Sequence, residues 1–392
     1  MRALAFPFAL LLLGHCASAV VPAVDEAEMN RRGYALLGAG RIAEAIDVFR
    51  RNVAAHPRSA NAYDSLAEAY LANKQNDAAI ANYRKVLEIS PADDRVLGTL
   101  ARLGAPIDEK AHQALLLRFM PPDIELTPNV HYSGALRLHL LRPRTRSEPL
   151  PLIVFIHGGG WGEGTKERGI VPLIDFVRRG FIGASIEYRF APAAPFPAQI
   201  HDVNCAIRFL RANAARFGID PHRIVVWGQS AGGHLAALAG TSSGVDALEG
   251  TCDARASSRP DAVIDWNGPA DLADERELAR LLEQRAQQKW TSIAIERLFG
   301  GSYDRAPAVQ ASPITWVSPD DPPFLILHGT ADTSVDVSQS RALYDALRRA
   351  GVDATLRLFE GEGHFGVTPN GPMPEKFRAE MLTFLDRWLQ SH

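Results

Sequence analysis

The segment Gly228-Gln229-Ser230-Ala231-Gly232 constrains this chain more than any other. It follows the apolar run Ile224 to Trp227 and precedes Gly233 to Ala239, a helical-looking run rich in Ala and Leu. A strand, a G-x-S-x-G turn and a helix, in that order, make the setting of a nucleophile elbow. The turn is so tight that the serine backbone is strained, and side chains two residues before and two after it would collide. Gly228 and Gly232 meet that demand. The turn lifts the Ser230 hydroxyl clear of the sheet edge. It also aims the Ala231 N–H, at a helix start, toward developing negative charge.

Three other segments fit around this one. His157-Gly158-Gly159-Gly160-Trp161 directly follows the apolar stretch Leu150 to Ile156. Consecutive glycines let backbone come close to a bound carbonyl and present open N–H groups, so the loop reads as an oxyanion hole shared with Ala231. A phosphate-binding loop is the competing reading, but neither of its glycine patterns occurs here. The second segment runs from Pro322 through Leu325-Ile326-Leu327 to His328-Gly329-Thr330-Ala331-Asp332. Open α/β sheets carry their chemistry at the carboxyl ends of strands. A carboxylate there can hold a histidine in the correct tautomer. Asp332 lies in the first turn after the strand and is preferred; Asp336, beside an expected helix start, competes. The third segment, Gly361-Glu362-Gly363-His364-Phe365-Gly366, places a histidine on a glycine-flanked loop after the β-like stretch Ala354 to Phe359. The order Ser230, Asp332, His364 is that of an α/β-hydrolase, and differs from the chymotrypsin and subtilisin orders.

With HGGGW, GQSAGG, HGTAD and GEGHFG together, residues 120–392 resemble the α/β-hydrolase esterases. The nearest likeness is to the acetyl and feruloyl esterase-like group related to hormone-sensitive lipase. Tyr188 to Pro192, Phe196 to Gln199 and Asp202 share in it. The resemblance implies that the N–H groups of Gly159 and Gly160 join that of Ala231 as oxyanion donors. It also implies a serine carboxylesterase that cleaves small-acyl or feruloyl esters, including those of carbohydrates, through an acyl-enzyme, with neither cofactor nor metal. Gln229 departs from the hormone-sensitive-lipase pattern, which usually has an acid before the nucleophile, and favours the carbohydrate-esterase-like branch. Two rivals stand: a serine peptidase of the prolyl-oligopeptidase kind, and a non-catalytic binding scaffold. The HGGGW loop argues against the first and the complete triad against the second.

Alternating strands and helices over 129–392 predict a mostly parallel sheet covered on both faces. The charged, helical stretch near 272–312, between two strands, is expected to form a lid. Trp161, Trp266 and Asn267, beside strand ends, are candidates for lining the substrate pocket, although a core Trp is an equal expectation.

The amino-terminal part reads differently. Arg2, the apolar run Ala3 to Leu13 and Ala17-Ser18-Ala19 form a secretory signal over residues 1–19, its core too short to span a bilayer. An exported, periplasmic or secreted chain is therefore expected, without stable membrane insertion. Export leaves Cys205 and Cys252, and an even pair in an oxidising compartment predicts a disulfide. Residues 20–105 have helical periodicity, and Gly33, Ala45, Phe49 and Pro57 recur as Ala67, Ala79, Tyr83 and Pro91, a period of about 34 residues. This resembles tetratricopeptide repeats, with a truncated third unit from Leu97. The repeats serve either as a peptide- or partner-binding groove or as a cap on the active-site entrance. A linker is expected over 106–128. Net charge is −3, and no basic cluster suggests nucleic acid.

Overall fold

The computed structural model describes residues 25–145, 148–252, 255–286, 290–364 and 373–390. The expected signal segment, 1–19, lies outside the described residues. The chain divides into two compact units that part between Asn82 and Tyr83.

The first unit holds α1 (Glu26–Gly38), α2 (Ile42–Ala55), α3 (Ala60–Ala72) and the start of α4 (Asn76–Ile89). Asp25 caps α1 by accepting from Ala27 N, and Ser59 caps α3 by accepting from Ala62 N. Small residues let these helices cross closely. A Cβ on Gly33 would overlap the Phe49 ring, which also meets Tyr34 edge-on at 5.3 Å between centroids.

The second unit continues through α4 to α5 (Asp94–Arg102) and α6 (Glu109–Phe119). The boundary between the compact units thus falls inside α4, within the repeat region. The reason is packing: Ala92 and Leu116 belong to the apolar cluster beneath the sheet, and Asp94 pairs with Arg168. The stretch 106–128, expected as a linker, contains α6, capped by Asp108.

Among the described residues eight strands follow: β1 (Ile124–Ser133), β2 (Leu136–Pro143), β3 (Leu150–Ile156), β4 (Ile182–Ile186), β5 (Ile219–Gln229), β6 (Ala262–Trp266), β7 (Phe324–Gly329) and β8 (Ala354–Phe359). They form one sheet in the order β1-β2-β4-β3-β5-β6-β7-β8. The β1–β2 and β2–β4 pairs are antiparallel and the rest parallel. Every residue of β3, β4, β6 and β7 is buried, as expected of strands covered on both faces.

The remaining helices are α7 (Ile170–Arg178), α8 (Ala198–Ala212), α9 (Ala214–Phe217), α10 (Ala231–Thr241), α11 (Asp246–Glu249), α12 (Glu275–Ala286), α13 (Trp290–Leu298), α14 (Arg305–Ala311), α15 (Val337–Ala350) and α16 (Glu375–Gln390). One face of the sheet packs on α8, α10 and α15 through Val203, Leu235 and Leu343. The other packs on α7 and α16 through Phe176, Phe377 and Met381. Helices α12 to α14 fill the insertion between β6 and β7. Arg280 of α12 donates to the carbonyls of Thr333 and Ser334, so the insertion is tied to the loop after β7. Among the described residues no helix is long and apolar enough to cross a membrane.

Candidate active site

The parallel register brings four strand ends together. Ile156 pairs with Gly228, Gln229 with Trp266, and Trp266 with Leu327. The loops that leave β3, β5, β6 and β7 therefore share one edge of the sheet.

Ser230 has φ 55° and ψ −122°, a conformation that L-residues rarely hold. A Cβ on Gly228 would overlap the Gly232 carbonyl, and one on Gly232 would overlap that of Ile156. The strained turn is pinned by its own N–H, which donates to Trp266 O at 2.8 Å and to Asn267 Oδ1 at 3.0 Å. His364 Nε2 lies 3.0 Å from Ser230 Oγ, and His364 Nδ1 lies 2.7 Å from Asp332 Oδ2. With Asp332 accepting from Nδ1–H, Nε2 is left as the acceptor for the serine proton.

Asp332 is buried, which opposes its ionisation. Hydrogen bonds from His328 and His364 outweigh burial and hold the carboxyl well below the usual carboxylate range. The backbone N–H groups of Ser334 and Val335 occupy Oδ1 at 2.8 and 3.0 Å. Asp336 instead caps α15 by accepting from Ser338 N, which excludes it from the histidine. The histidine loop is laced to the acid loop through Ala331 N to Glu362 O and Thr330 N to Phe359 O.

Gly159 and Gly160 have positive φ of 115° and 54°. Their turn closes through the N–H groups of Gly162 and Glu163, which both donate to Gly159 O at 3.1 Å. Gly158 packs against Gln229 O and Ser230 Cβ, so the glycine loop lies directly on the elbow. Among the described residues the N–H groups of Gly159, Gly160 and Ala231 have no protein acceptor. One such donor typically contributes about 3–4 kcal/mol to stabilising a tetrahedral intermediate.

The three pocket candidates, Trp161, Trp266 and Asn267, are all buried. Trp266 is fully buried, stacked on Trp227 and packed on Phe377, because its side chain points into the sheet's far face. Asn267 is also buried, and its amide oxygen faces Ser230 N instead of a ligand. Trp161 is buried as well; its indole N–H donates to His234 Nδ1 at 3.1 Å. His234 Nε2 in turn meets Ala311 O at 2.7 Å, so Trp161 braces the glycine loop against α14. Cys205 and Cys252, the pair expected to bridge, are free thiols that lie within hydrogen-bonding reach of each other. Burial and the neighbouring Cys252 push the Cys205 thiol up to about 12. Asn204 donates to Leu248 O and Arg208 pairs with Glu249, which fastens the segment before Cys252 to α8.

Two buried groups went unread in the sequence. His328, next to last in β7, places Nε2 3.0 Å from Val335 O and 3.3 Å from Asp332 Oδ2, while its Nδ1 meets Ser340 Oγ at 2.6 Å. Its place in the HGTAD motif was the available signal. Asp265 sits at the end of β6, and burial raises its carboxyl to about 7. Its Oδ1 accepts from Gly268 N, shaping the turn that presents Asn267. Among the described residues no group of three His, Cys, Asp or Glu side chains is placed to hold a metal ion.

A parallel sheet with an elbow serine, a histidine and a buried aspartate at its carboxyl edge defines an α/β-hydrolase. The chain belongs to the BD-FAE family, whose model matches residues 138–347, and a tetratricopeptide-repeat model matches residues 36–103. Among similar proteins, esterase LipC of Mycobacterium tuberculosis is 35% identical over 207 residues, covering 52% of this chain and 49% of the relative. Isoprenylcysteine α-carbonyl methylesterase of Arabidopsis thaliana is 29% identical over 241 residues, covering 60% of this chain and 55% of the relative. The chain spans about half the length of the curated relatives it matches. A truncated carbohydrate esterase from gut microbiota superposes with a TM-score of 0.59 at 30% identity, over 67% of this chain and 96% of the other. Propionate-bound esterase 2 of Thermogutta terrifontis gives 0.53 at 29% identity, over 69% and 94%.

Proposed function

We propose that this chain is an exported serine carboxylesterase that cleaves small-acyl or feruloyl esters, carbohydrate esters among them. The observation that carries the reading is the continuous hydrogen-bonded line from Ser230 Oγ through His364 to Asp332, beside three N–H donors without a protein acceptor among the described residues. His364 takes the Ser230 proton as Oγ attacks the ester carbonyl. Gly159, Gly160 and Ala231 hold the oxyanion. Asp332 remains a carboxylate and steadies the imidazolium. The alcohol leaves with the proton from His364, and water releases the acid by the same path. Family membership and the named esterases and carbohydrate esterase among the similar proteins support the chemistry. The short apolar leader supports export.

The test is turnover of p-nitrophenyl acetate, butyrate and octanoate and of methyl ferulate. Acetate or ferulate turnover should fall about a million-fold in Ser230→Ala while the melting temperature holds. A folded wild-type chain that turns over no ester contradicts the reading.

A further inference from the structure

The carboxylate that steadies His364 is itself held by a ring outside the triad. His328 is fully buried, and each of its nitrogens has a partner. Nε2 lies between two oxygens, Val335 O and Asp332 Oδ2. A backbone carbonyl and an ionised carboxylate can only accept, so Nε2 carries the proton. Nδ1 faces Ser340 Oγ on α15, a hydroxyl that can donate and is itself fully buried.

These contacts close into a clasp. Val335 gives its N–H to Asp332 Oδ1 and takes the His328 N–H on its carbonyl. Ser334 N also donates to Oδ1, and His328 shares Oδ2 with His364 Nδ1. The four acceptor positions of the carboxylate are thereby used. The Asp332 side chain has no exposed surface, so water does not replace a lost donor. Two further carboxylates, Asp265 from the end of β6 and Asp336 before α15, act on His328 through space.

We propose that His328, held by Ser340 as the neutral Nε2–H tautomer, is a positioning residue that sets the pH at which the triad becomes active. Its N–H draws negative charge from the Asp332 oxygen that faces His364. Without that donor the fuller charge on Oδ2 favours the imidazolium form of His364, which cannot take the Ser230 proton. Turnover then begins at higher pH. This consequence rests on the esterase reading; the tautomer and the clasp do not.

The pH profile of kcat/KM for p-nitrophenyl acetate tests the role. In His328→Leu the acid limb should move up by about one pH unit, and kcat on the plateau should fall about ten-fold with KM held. His328→Gln, which can place an amide N–H near the position of Nε2, should keep the limb within about 0.3 of wild type. A merely structural ring would cost stability without moving the limb. A limb that stays in place in folded His328→Leu, or moves equally in both variants, overturns the proposal. The wild-type chain supplies a second measurement, independent of how the variants fold. Nitrogen-15 spectra of histidine-labelled protein should show His328 with Nε2 protonated and Nδ1 bare from about pH 5 to about 8. A protonated Nδ1 in that range overturns the proposal. A wild-type chain that turns over no ester rejects the esterase reading, and the tautomer still decides the clasp. Turnover with an unmoved limb rejects the positioning role alone.

Discussion

The loops that follow β5 and β7 both deliver one catalytic-site side chain to the same edge of the sheet, but they are built by different physics. The β5 loop is built by exclusion. Gly228, Gly232 and Gly158 leave room where any Cβ would meet backbone, and Ser230 is held at a positive φ as a consequence. The β7 loop is built by satisfaction. Asp332 accepts from two backbone N–H groups and two histidines, all supplied by residues that fold back around it. A site made by exclusion tolerates no added atoms. A site made by satisfaction tolerates no lost donors.

That contrast orders the expected effects. Asp332→Asn should lower kcat/KM about ten-thousand-fold, because the amide no longer enforces the tautomer of His364. A loss much smaller than that, measured with p-nitrophenyl acetate, would move the acid elsewhere. Gly228→Ala should cost about 3 kcal/mol or more in denaturant unfolding, since the added methyl meets the Gly232 carbonyl and backbone cannot yield cheaply. An alanine accepted without loss would show that the elbow is not sterically closed.

Asp265 sharpens the comparison from between the two loops. It ionises near 3.8 as a free side chain and near about 7 in the fold, because it is buried. The folded chain thus keeps a proton that the unfolded chain releases. Stability from this group is full below the unfolded value and falls as pH rises toward 7, by up to about 1.4 kcal/mol per pH unit. Asp265→Asn should therefore gain melting temperature over wild type as pH rises from about 5 to about 7.5. A constant difference across that range contradicts the assignment. The smallest effect belongs to Asp336→Ala, which should cost about 1 kcal/mol as a lost helix cap and leave ester turnover near wild type. A collapse of turnover would make Asp336, not Asp332, the acid.

The same contrast explains what could be read from the chain. The elbow and the glycine loop were legible because steric exclusion is local: the glycines stand next to the serine they serve. The alternation of strands and helices was legible for the same reason. Asp332 was preferred over Asp336 by its place after a strand, and the cap formed by Asp336 gives the physical reason. The second histidine on Asp332, and the turn of Gly268 that presents Asn267, depend on partners set by tertiary folding, which spacing alone does not encode. Trp266 was ambiguous because alternate residues of a strand face opposite sides of the sheet. One residue decided between pocket and core, and the core holds it. The repeat period reads α5 as a repeat helix, and the tetratricopeptide model covers it, while its packing on the catalytic unit depends on tertiary contacts that periodicity does not encode.

The most direct test of the central claim is covalent. Folded wild-type chain is treated with a fluorophosphonate probe, digested, and mapped by mass spectrometry. The account predicts one adduct, on Ser230, that disappears in Ser230→Ala and slows strongly in Asp332→Asn. An unlabelled folded chain, or an adduct on another residue, would contradict it.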